Sequence, residues 1–348
     1  MERRKSPISV FTLVDKIGWF GRYTGYEALP QNLPCDVSCV RPRAGRLVRI
    51  VGKLYSLLKR WPPRSQAATF AELELLYRWR RKPGAIAHTL YGEQHLQFFT
   101  RWGRAPRNWV TTIHLPPSQW SDEMLGQLRH VQSAILLYQR DIAFFGQFTG
   151  EGRIRFIHHG ADVDFFTPAA THSTDRLLFA GAYLRNPPML ARVIHRLHAS
   201  HPGLRFDLLV PMHARSQAGF EAIVNHPAVT WHAGLSDEQL RSLYQQSFLL
   251  LLPMNESGAN TAVVEALACG LPIVTTDVGG IRDYGGGTVF PLVKNDDDHA
   301  MIALVEQYLE RPAWREQVAT ECRSFAESTL AWPLIAQRHL DVYEELAT

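Results

Sequence analysis

Residues 249–284 read LLLLPMNESGANTAVVEALACGLPIVTTDVGGIRDY and decide the fold. The apolar run at 248–252 has the length of a buried parallel strand. A polar loop follows, and Asn260 can cap a helix that begins near Thr261 and ends at Gly270. Residues 271–275 predict a second buried strand. The segment therefore predicts a βαβ unit of an α/β protein, with its loop at the carboxyl edge of the sheet, where such folds bind ligands.

The start of this helix has the chemistry of a phosphate site. Backbone amides that lack a helical partner, together with the helix dipole, favour an anion there. These amides belong to Gly258, Ala259, Asn260, Thr261 and Ala262. Glu265 lies one turn, about 5.4 Å, beyond Thr261 on the same face. An ionised carboxylate accepts from two hydroxyls at once, so Glu265 suits a ribose diol better than a solvated helix surface, because its neighbours are apolar.

Residues 256–284, ESGANTAVVEALACGLPIVTTDVGGIRDY, resemble the nucleotide-sugar-binding segment of family 4 glycosyltransferases, the retaining enzymes of the GT-B fold. Members usually carry two glutamates with seven residues between them, and Glu265 matches the second. The first position falls on Ser257, and Glu256 lies one residue earlier. The resemblance implies that either Glu256, through a shifted loop, or Ser257 with Asn260 contacts the donor sugar.

The resemblance implies an α/β protein of two Rossmann-like domains, with parallel sheets that face each other across a cleft. At 348 residues the chain is long for a single hydrophobic core and long enough for two domains. We place the N-terminal, acceptor-side domain at 1–166 and the C-terminal, nucleotide-sugar-binding domain at 175–331. The stretch between them is rich in Thr, Ser, Pro and Ala and predicts a linker. Residues 332–346 have helical spacing, and in GT-B proteins this helix packs back on the first domain.

Three features of the first domain are candidates for the site. A glycine-rich loop with Gly18, Gly21 and Gly25 follows the first predicted strand, and Gly21 would let a donor phosphate approach, although a plain turn fits as well. His88 and His114 end two further predicted strands, where a pKa near neutrality would let each handle a hydroxyl proton. Each could instead be bonded to backbone. His114 matches the family's acceptor-side histidine, and His88 is the second acceptor-side candidate.

Arg185 is the candidate cation of the second domain. Family members commonly place Arg directly after the glycine of this loop, but here Ala182 stands in that position. Arg185 could grip the donor pyrophosphate bidentately, or it could be a surface arginine. The resemblance implies His114, Arg185 and Glu256 as catalytic residues. We predict no metal and no cofactor, because no D-x-D pair ends a strand and residues 296–298 resemble a solvated loop; Arg185 and the helix amides would meet the leaving-group charge.

Charge is unevenly placed along the chain. Residues 1–120 hold 20 Lys/Arg against 7 Asp/Glu, which points to an anionic partner for this half. Residues 41–64 hold eight basic residues and no acid, within a predicted amphipathic helix. One face of that helix carries Arg46, Arg49, Lys53 and Arg60, and the opposite face carries Leu47, Val51, Leu54 and Leu58. A membrane of anionic phospholipid or a lipid-pyrophosphate acceptor suits this surface, and a solvated face is the alternative; nucleic acid is disfavoured because aromatic interleaving is thin.

The remaining composition predicts the compartment. The four cysteines form no metal-binding spacing and indicate free thiols in a reducing compartment. No apolar run approaches the roughly 20 residues of a transmembrane helix, and the N-terminal run is too short for a signal peptide. We therefore expect a cytoplasmic enzyme, or one peripheral on the inner face of the cell membrane. It would be a hexosyltransferase-like enzyme that moves a sugar with retention from a nucleoside-diphosphate sugar to a hydroxyl of a glycan or lipid-linked acceptor, in cell-surface polysaccharide or glycolipid biosynthesis. The alternative is a non-catalytic GT-B module that binds a nucleotide or glycan.

Overall fold

The computed structural model describes residues 8–14, 21–59, 66–100, 104–169 and 173–347. Their contacts divide the chain into two compact units. Unit 1 takes its described residues from 1–20, 26–158 and 332–348, and unit 2 takes its residues from 21–25 and 159–331. Residues 159–166, which the sequence assigned to the first domain, are therefore grouped with unit 2. Gly18 and part of the predicted linker lie outside the described residues.

Unit 1 is built on a six-stranded parallel sheet. Its strands are β1 (Ser9–Leu13), β2 (Asp36–Val40), β3 (Ile86–Thr89), β4 (Trp109–Ile113), β5 (Ser133–Leu136) and β6 (Ile154–Phe156). They lie in the order β2-β1-β3-β4-β5-β6. The helices between them are α1 (Leu29–Asn32), α2 (Arg46–Lys59), α3 (Gln66–Arg80), α4 (Leu96–Phe99), α5 (Asp122–Leu128) and α6 (Ile142–Thr149).

Unit 2 repeats this architecture with a second six-stranded parallel sheet. Its strands are β7 (Arg176–Ala180), β8 (Arg205–Leu209), β9 (Val229–His232), β10 (Leu249–Leu252), β11 (Ile273–Thr276) and β12 (Leu292–Val293). They lie in the order β12-β11-β10-β7-β8-β9. The helices are α7 (Pro187–Ser200), α8 (Asp237–Gln245), α9 (Thr261–Ala268), α10 (Asp298–Glu310) and α11 (Pro312–Phe325). Two parallel sheets with helical crossovers confirm the predicted α/β class.

The order of unit 2 places its switch point between β7 and β10. The chain runs outward from β7 to β9 and then returns to begin β10 beside β7, where Leu250 pairs with Leu178. On its other side Leu250 pairs with Ile273 of β11. All residues of β10 and β11 are buried, as expected of central parallel strands that read as continuous apolar runs. The loops after β7 and β10 therefore leave the sheet side by side, which is where open α/β sheets bind ligands.

The last helix, α12 (Trp332–Ala347), returns the chain to unit 1. Its Tyr343 hydroxyl lies 2.7 Å from His88 Nδ1 on β3, and its His339 Nε2 lies 2.6 Å from the Tyr26 hydroxyl. All four side chains are fully buried. These polar contacts orient the buried face of α12 within unit 1. Among the described helices, none has the length and apolar character needed to cross a membrane.

Candidate functional site

The loop between β10 and α9 presents a row of unused backbone donors. Asn260 has an extended backbone, and its Oδ1 accepts from the Ala262 amide at 3.2 Å, which confirms the predicted cap. Within the part of the chain that the structure describes, the amides of Gly258, Ala259, Asn260 and Thr261 donate no hydrogen bond. The helix start therefore retains four donors and the positive end of its dipole for an anion.

Arg185 brings a positive charge to this helix start. It lies in the loop after β7, and its guanidinium donates to the Ala180 carbonyl at 2.9 Å and to Asn260 Oδ1 at 3.2 Å. Its other contacts are the Tyr183 carbonyl and Met254 Sδ. No carboxylate pairs with Arg185 among the described residues. Burial lowers the pKa of Arg185 to about 10, so it stays charged at neutral pH. A part-buried cation held only by neutral acceptors is suited to an anionic ligand.

Glu265 lies one turn into α9 and is almost fully buried, at 4% exposure. Its Oε2 accepts from the Tyr244 hydroxyl at 2.8 Å, whereas Oε1 is buried with no hydrogen-bond partner among the described atoms. Burial raises the pKa of Glu265 to about 7, against the lowering effect of the Tyr244 and Thr24 hydroxyls. The sequence predicted a carboxylate free to accept with both oxygens, but Tyr244 already occupies one of them. Nothing in the local sequence pattern indicates this pairing, because Tyr244 comes from α8.

Glu256 and Ser257 adopt different roles in the same loop. Glu256 Oε1 accepts from the Ser257 amide at 3.0 Å, and the carboxylate forms no ion pair within the described residues. Ser257 is buried, and its hydroxyl donates to the Gly258 carbonyl at 3.0 Å. Gly279 packs against both, since a Cβ there would overlap the Ser257 carbonyl and lie 2.6 Å from Glu256 Oε1. The negative charge of the loop therefore belongs to Glu256, while the oxygen of Ser257 can still accept.

Gly21 lies in unit 2 beside the first residue of α8. A Cβ at Gly21 would overlap the Asp237 carboxylate, and Asp237 Oδ2 accepts from the Arg22 amide at 2.9 Å. The sequence predicted that a donor phosphate could approach the backbone at Gly21. In the structure, the Asp237 carboxylate lies against Gly21 instead. Asp237 follows Ser236, which forms a capping box with Gln239. Gly21 belongs to a short segment of unit 2, 21–25, that lies next to Glu265.

His114 lies at the carboxyl end of β4 in unit 1. Its Nε2 lies 2.7 Å from the Leu90 carbonyl and must carry the proton, because a carbonyl only accepts. Nδ1 is then an unprotonated acceptor. The ring stacks on Tyr91 at 4.6 Å, and Glu93 accepts from the His114 amide. Burial lowers the pKa of His114 to about 4, so the predicted near-neutral pKa is wrong, and at neutral pH the imidazole is a hydrogen-bond acceptor.

His88 is a core residue of unit 1. Its Nε2 lies 2.7 Å from Thr112 Oγ1 and its Nδ1 lies 2.7 Å from the Tyr343 hydroxyl, and the side chain has no exposed area. Burial lowers the pKa of His88 well below its usual value, so the near-neutral pKa is wrong here too. With both ring nitrogens occupied, His88 could meet an acceptor only after a rearrangement of this core.

The acidic run after β12 is partly solvated, because Asp296 is exposed while Asp297 and Asp298 are half-buried. Asp296 and Asp298 pair with Arg192, and Asp297 Oδ1 accepts from the Ala300 amide as the cap of α10. Within the described ranges, no group of three or more His, Cys, Asp or Glu side chains is arranged to hold a metal ion.

Comparison with known proteins agrees with this architecture. Residues 174–311 match the family model described as glycosyl transferases group 1. The D-inositol 3-phosphate glycosyltransferase of Streptosporangium roseum is 27% identical over 216 residues, which cover 55% of this chain and 49% of that protein. The match thus spans about half the length of this curated relative.

Two solved structures share the fold along nearly the whole chain. Sucrose-phosphate synthase of Thermosynechococcus elongatus superposes with a TM-score of 0.74 at 16% identity, covering 97% of this chain and 99% of the other. HepE of Anabaena, solved with UDP and glucose, has a TM-score of 0.72 at 14% identity and covers 97% and 100%. The family match includes the Glu265 segment and agrees with the resemblance seen there. Residues 174–311, within the second unit, match the group 1 glycosyltransferases, and the chain shares the GT-B fold of the two solved structures.

Proposed function

We propose that this protein transfers a glycosyl group from a nucleoside-diphosphate sugar to a hydroxyl of a glycan or lipid-linked acceptor. The observation that carries the proposal is that Arg185, which pairs with no carboxylate among the described residues, lies at the start of α9. There, four amides donate no hydrogen bond within the same residues. A pyrophosphate carries the complementary charge and several acceptor oxygens. Glu265, one turn further along, keeps a buried oxygen for the attached ribose.

The chemistry assigned to this site is stabilisation of the leaving group. As the glycosidic bond to the donor breaks, negative charge develops on the diphosphate, and Arg185 with the α9 amides would meet it without a metal ion or a cofactor. Glu256 or Ser257, at the adjacent loop, would contact the transferred sugar. His114, with Nδ1 as acceptor, would bind a hydroxyl of the acceptor or sugar from unit 1. Retention at the anomeric carbon follows from the family resemblance.

A membrane-bound acceptor is part of the proposal because of the surface of α2. The residues Leu47, Ile50, Val51, Leu54 and Leu57 are exposed, with exposures of 39% to 77%. Arg46, Arg49 and Lys53 are exposed on the same helix. Gly52 packs on the start of α3, since a Cβ there would overlap the Gln66 backbone, so the apolar side chains project away from that contact. The side chain of Leu58 and all of Arg60 lie outside the described residues.

This combination suits an anionic bilayer, where apolar burial and charge attraction add. We propose that the enzyme is cytoplasmic, peripheral on the inner face of the membrane, and active in cell-surface polysaccharide or glycolipid biosynthesis. The exposed face of α2 supports the membrane part of this proposal. The alternative, a non-catalytic module, is favoured only by Ser257 at the position where the family usually has glutamate.

The test is nucleotide binding by calorimetry with UDP, GDP and ADP, their glucose conjugates and the free nucleosides. Arg185→Gln should weaken nucleoside-diphosphate binding about 10- to 100-fold, because a charge-assisted contact is worth roughly 1.5–3 kcal/mol, and should leave nucleoside binding nearly unchanged. The matched control is Arg192→Gln, which removes an arginine that is already paired with Asp298. Equal losses for diphosphate and nucleoside would contradict the phosphate role of Arg185. A wild-type protein that binds the donor but neither hydrolyses nor transfers its sugar would support the non-catalytic alternative.

A further inference from the structure

The segment 21–25 is held against the rest of unit 2 by two contacts, and a third contact supports one of them. The Arg22 amide donates to Asp237 Oδ2 at 2.9 Å. The Tyr23 ring stacks on Phe165, with centroids 3.8 Å apart and planes 4° apart. The guanidinium of Arg241 lies 4.7 Å from the centroid of the same Phe165 ring. Gly21 allows the segment to lie this close to α8, since any side chain at position 21 would overlap Asp237.

The fastening puts Thr24 beside the carboxylate of Glu265. Thr24 is 7% exposed, and its hydroxyl lies near enough to the Glu265 carboxylate to favour the ionised form as a hydrogen-bond donor. Among the described atoms, Thr24 Oγ1 and Glu265 Oε1 are both buried, and neither has a partner at full hydrogen-bond geometry. A buried polar atom without a well-placed partner costs free energy, so both atoms keep the capacity to bond to a ligand hydroxyl.

We propose that Thr24 is a second ribose-recognition residue, which shares the ribose of the donor with Glu265. An ionised carboxylate can only accept, whereas a threonine hydroxyl can also donate. A vicinal diol matches this pair, because one hydroxyl can donate to Glu265 Oε1 while the other accepts from Thr24 Oγ1. The inference rests on the proposed function and adds to it that a residue near the chain's N-terminus discriminates ribose from deoxyribose in the nucleotide.

Two variants and three forms of one nucleotide test the proposal. Thr24→Val removes the hydroxyl and keeps the shape, and Thr24→Ser keeps the hydroxyl. The probes are UDP, or GDP or ADP if either binds more tightly, and the 2′-deoxy and 3′-deoxy analogues of the same nucleotide. Thr24→Val should weaken binding of the ribonucleotide about three- to tenfold, the effect of one hydrogen bond, and should not weaken binding of the analogue that lacks the contacted hydroxyl. Thr24→Ser should bind all three probes like the wild type.

An equal loss for all three probes, or no loss for any, would overturn the inference. In the structural alternative, the Thr24 hydroxyl donates permanently to Glu265. Thr24→Val would then shift the pH dependence of binding to higher pH without discriminating among the probes. A wild-type protein that binds no nucleoside diphosphate would refute the proposed function itself. Binding that depends on Glu265 and Arg185 but not on Thr24 would refute only this inference.

Discussion

At the scale of single residues, the positive charge of the candidate site is positioned by a glycine that leaves space for an arginine. Gly181 has φ +90°, and a Cβ there would lie 2.9 Å from Arg185 Nη2. The glycine therefore provides both the left-handed turn and the space in which the guanidinium reaches Asn260. In this chain Ala182 follows the glycine where family members commonly have an arginine, and the cation comes from Arg185 three positions later. The position of this cation thus depends on the geometry of two residues, Gly181 and Arg185.

The titration of Glu265 should appear in the pH dependence of donor binding. Its pKa is raised to about 7 by burial, so part of the population is protonated at neutral pH. Hydroxyls that donate to the carboxylate favour the ionised form, and the donor must therefore release this proton. Affinity should rise up to about tenfold from pH 6 to pH 8 and then level off. Calorimetry with a nucleoside-diphosphate sugar measures this, since its pyrophosphate has no ionisation in that range.

Glu265→Gln is the matched control for this titration. It keeps the size of the side chain and removes the ionisable group, so binding should be weaker and should no longer depend on pH between 6 and 8. If the wild type binds equally well at both pH values, the ribose does not contact the ionised Glu265 carboxylate.

At the scale of elements, the start of α9 and the exposed face of α2 are the two surfaces that we propose bind ligands. Asn260 Oδ1 accepts both from the Ala262 amide and from Arg185, so one cap organises the helix start and holds the cation. The helix is only eight residues long, and seven of them are buried, so packing rather than intrinsic propensity maintains it. In α2 the situation is reversed, because its apolar side chains are left exposed by the fold.

The exposed face of α2 should bind anionic vesicles in a salt-dependent way. Each basic residue near an anionic surface contributes about 1 kcal/mol, so changing Arg46, Arg49 and Lys53 to Gln should weaken binding by roughly 3 kcal/mol, about a hundredfold. Screening shortens this attraction to about 8 Å at physiological ionic strength, and binding should fall as salt rises. Vesicle co-sedimentation with phosphatidylglycerol measures both effects.

A second variant separates the apolar contribution of α2. Changing Leu47, Leu54 and Leu57 to Gln should also weaken vesicle binding, because the apolar area that the membrane would bury is lost. Nucleotide affinity should be unchanged in both variants, since the candidate nucleotide site belongs to unit 2. A wild-type protein that ignores anionic vesicles at low salt would show that α2 is a solvated part of unit 1 and would favour a soluble acceptor.

At the scale of the whole molecule, a buried polar network joins α12, which follows unit 2 in the sequence, to the rest of unit 1. His339 Nδ1 donates to the Ile335 carbonyl at 2.8 Å, and its unprotonated Nε2 accepts from the Tyr26 hydroxyl at 2.6 Å. The Tyr26 hydroxyl accepts from Thr112, which also contacts His88. Such a network is favourable only while every member is satisfied and neutral. The stability of unit 1 therefore depends on buried histidines that stay neutral.

Acid should destabilise unit 1 well before carboxylates are neutralised. Burial lowers the pKa of His339 to about 4, below the unfolded value of about 6.5, so the stability it contributes is present above pH 6.5 and is lost as pH falls toward 4. At pH 5 the loss from His339 alone is on the order of 2 kcal/mol. Urea unfolding at pH 7 and pH 5 measures it. His339→Gln should reduce this pH dependence, and the exposed control His213→Gln should not. An equal dependence in all three proteins would contradict the buried neutral His339.

Local patterns in the sequence predicted much of unit 2 because they act over a few residues. The four-leucine strand, the Asn260 cap and the helix that carries Glu265 all follow from spacing and from backbone chemistry. The predicted and observed strands differ by at most two residues at their ends, where hydrogen bonding to neighbouring strands decides which residues are paired.

What the sequence determined by itself is thus the α/β class, the Asn260-capped helix start and the resemblance to glycosyltransferases. Only the tertiary structure decided the partners and the protonation of the site residues. Tyr244 and Thr24 reach Glu265 from distant parts of the chain, and burial then sets the pKa of the carboxyl. His88 and His114 both end strands in the sequence, yet packing encloses the first completely and leaves the second partly exposed. The physical reason is that periodicity specifies which face of an element is apolar, whereas burial, hydrogen-bond satisfaction and pKa depend on what another element places against that face.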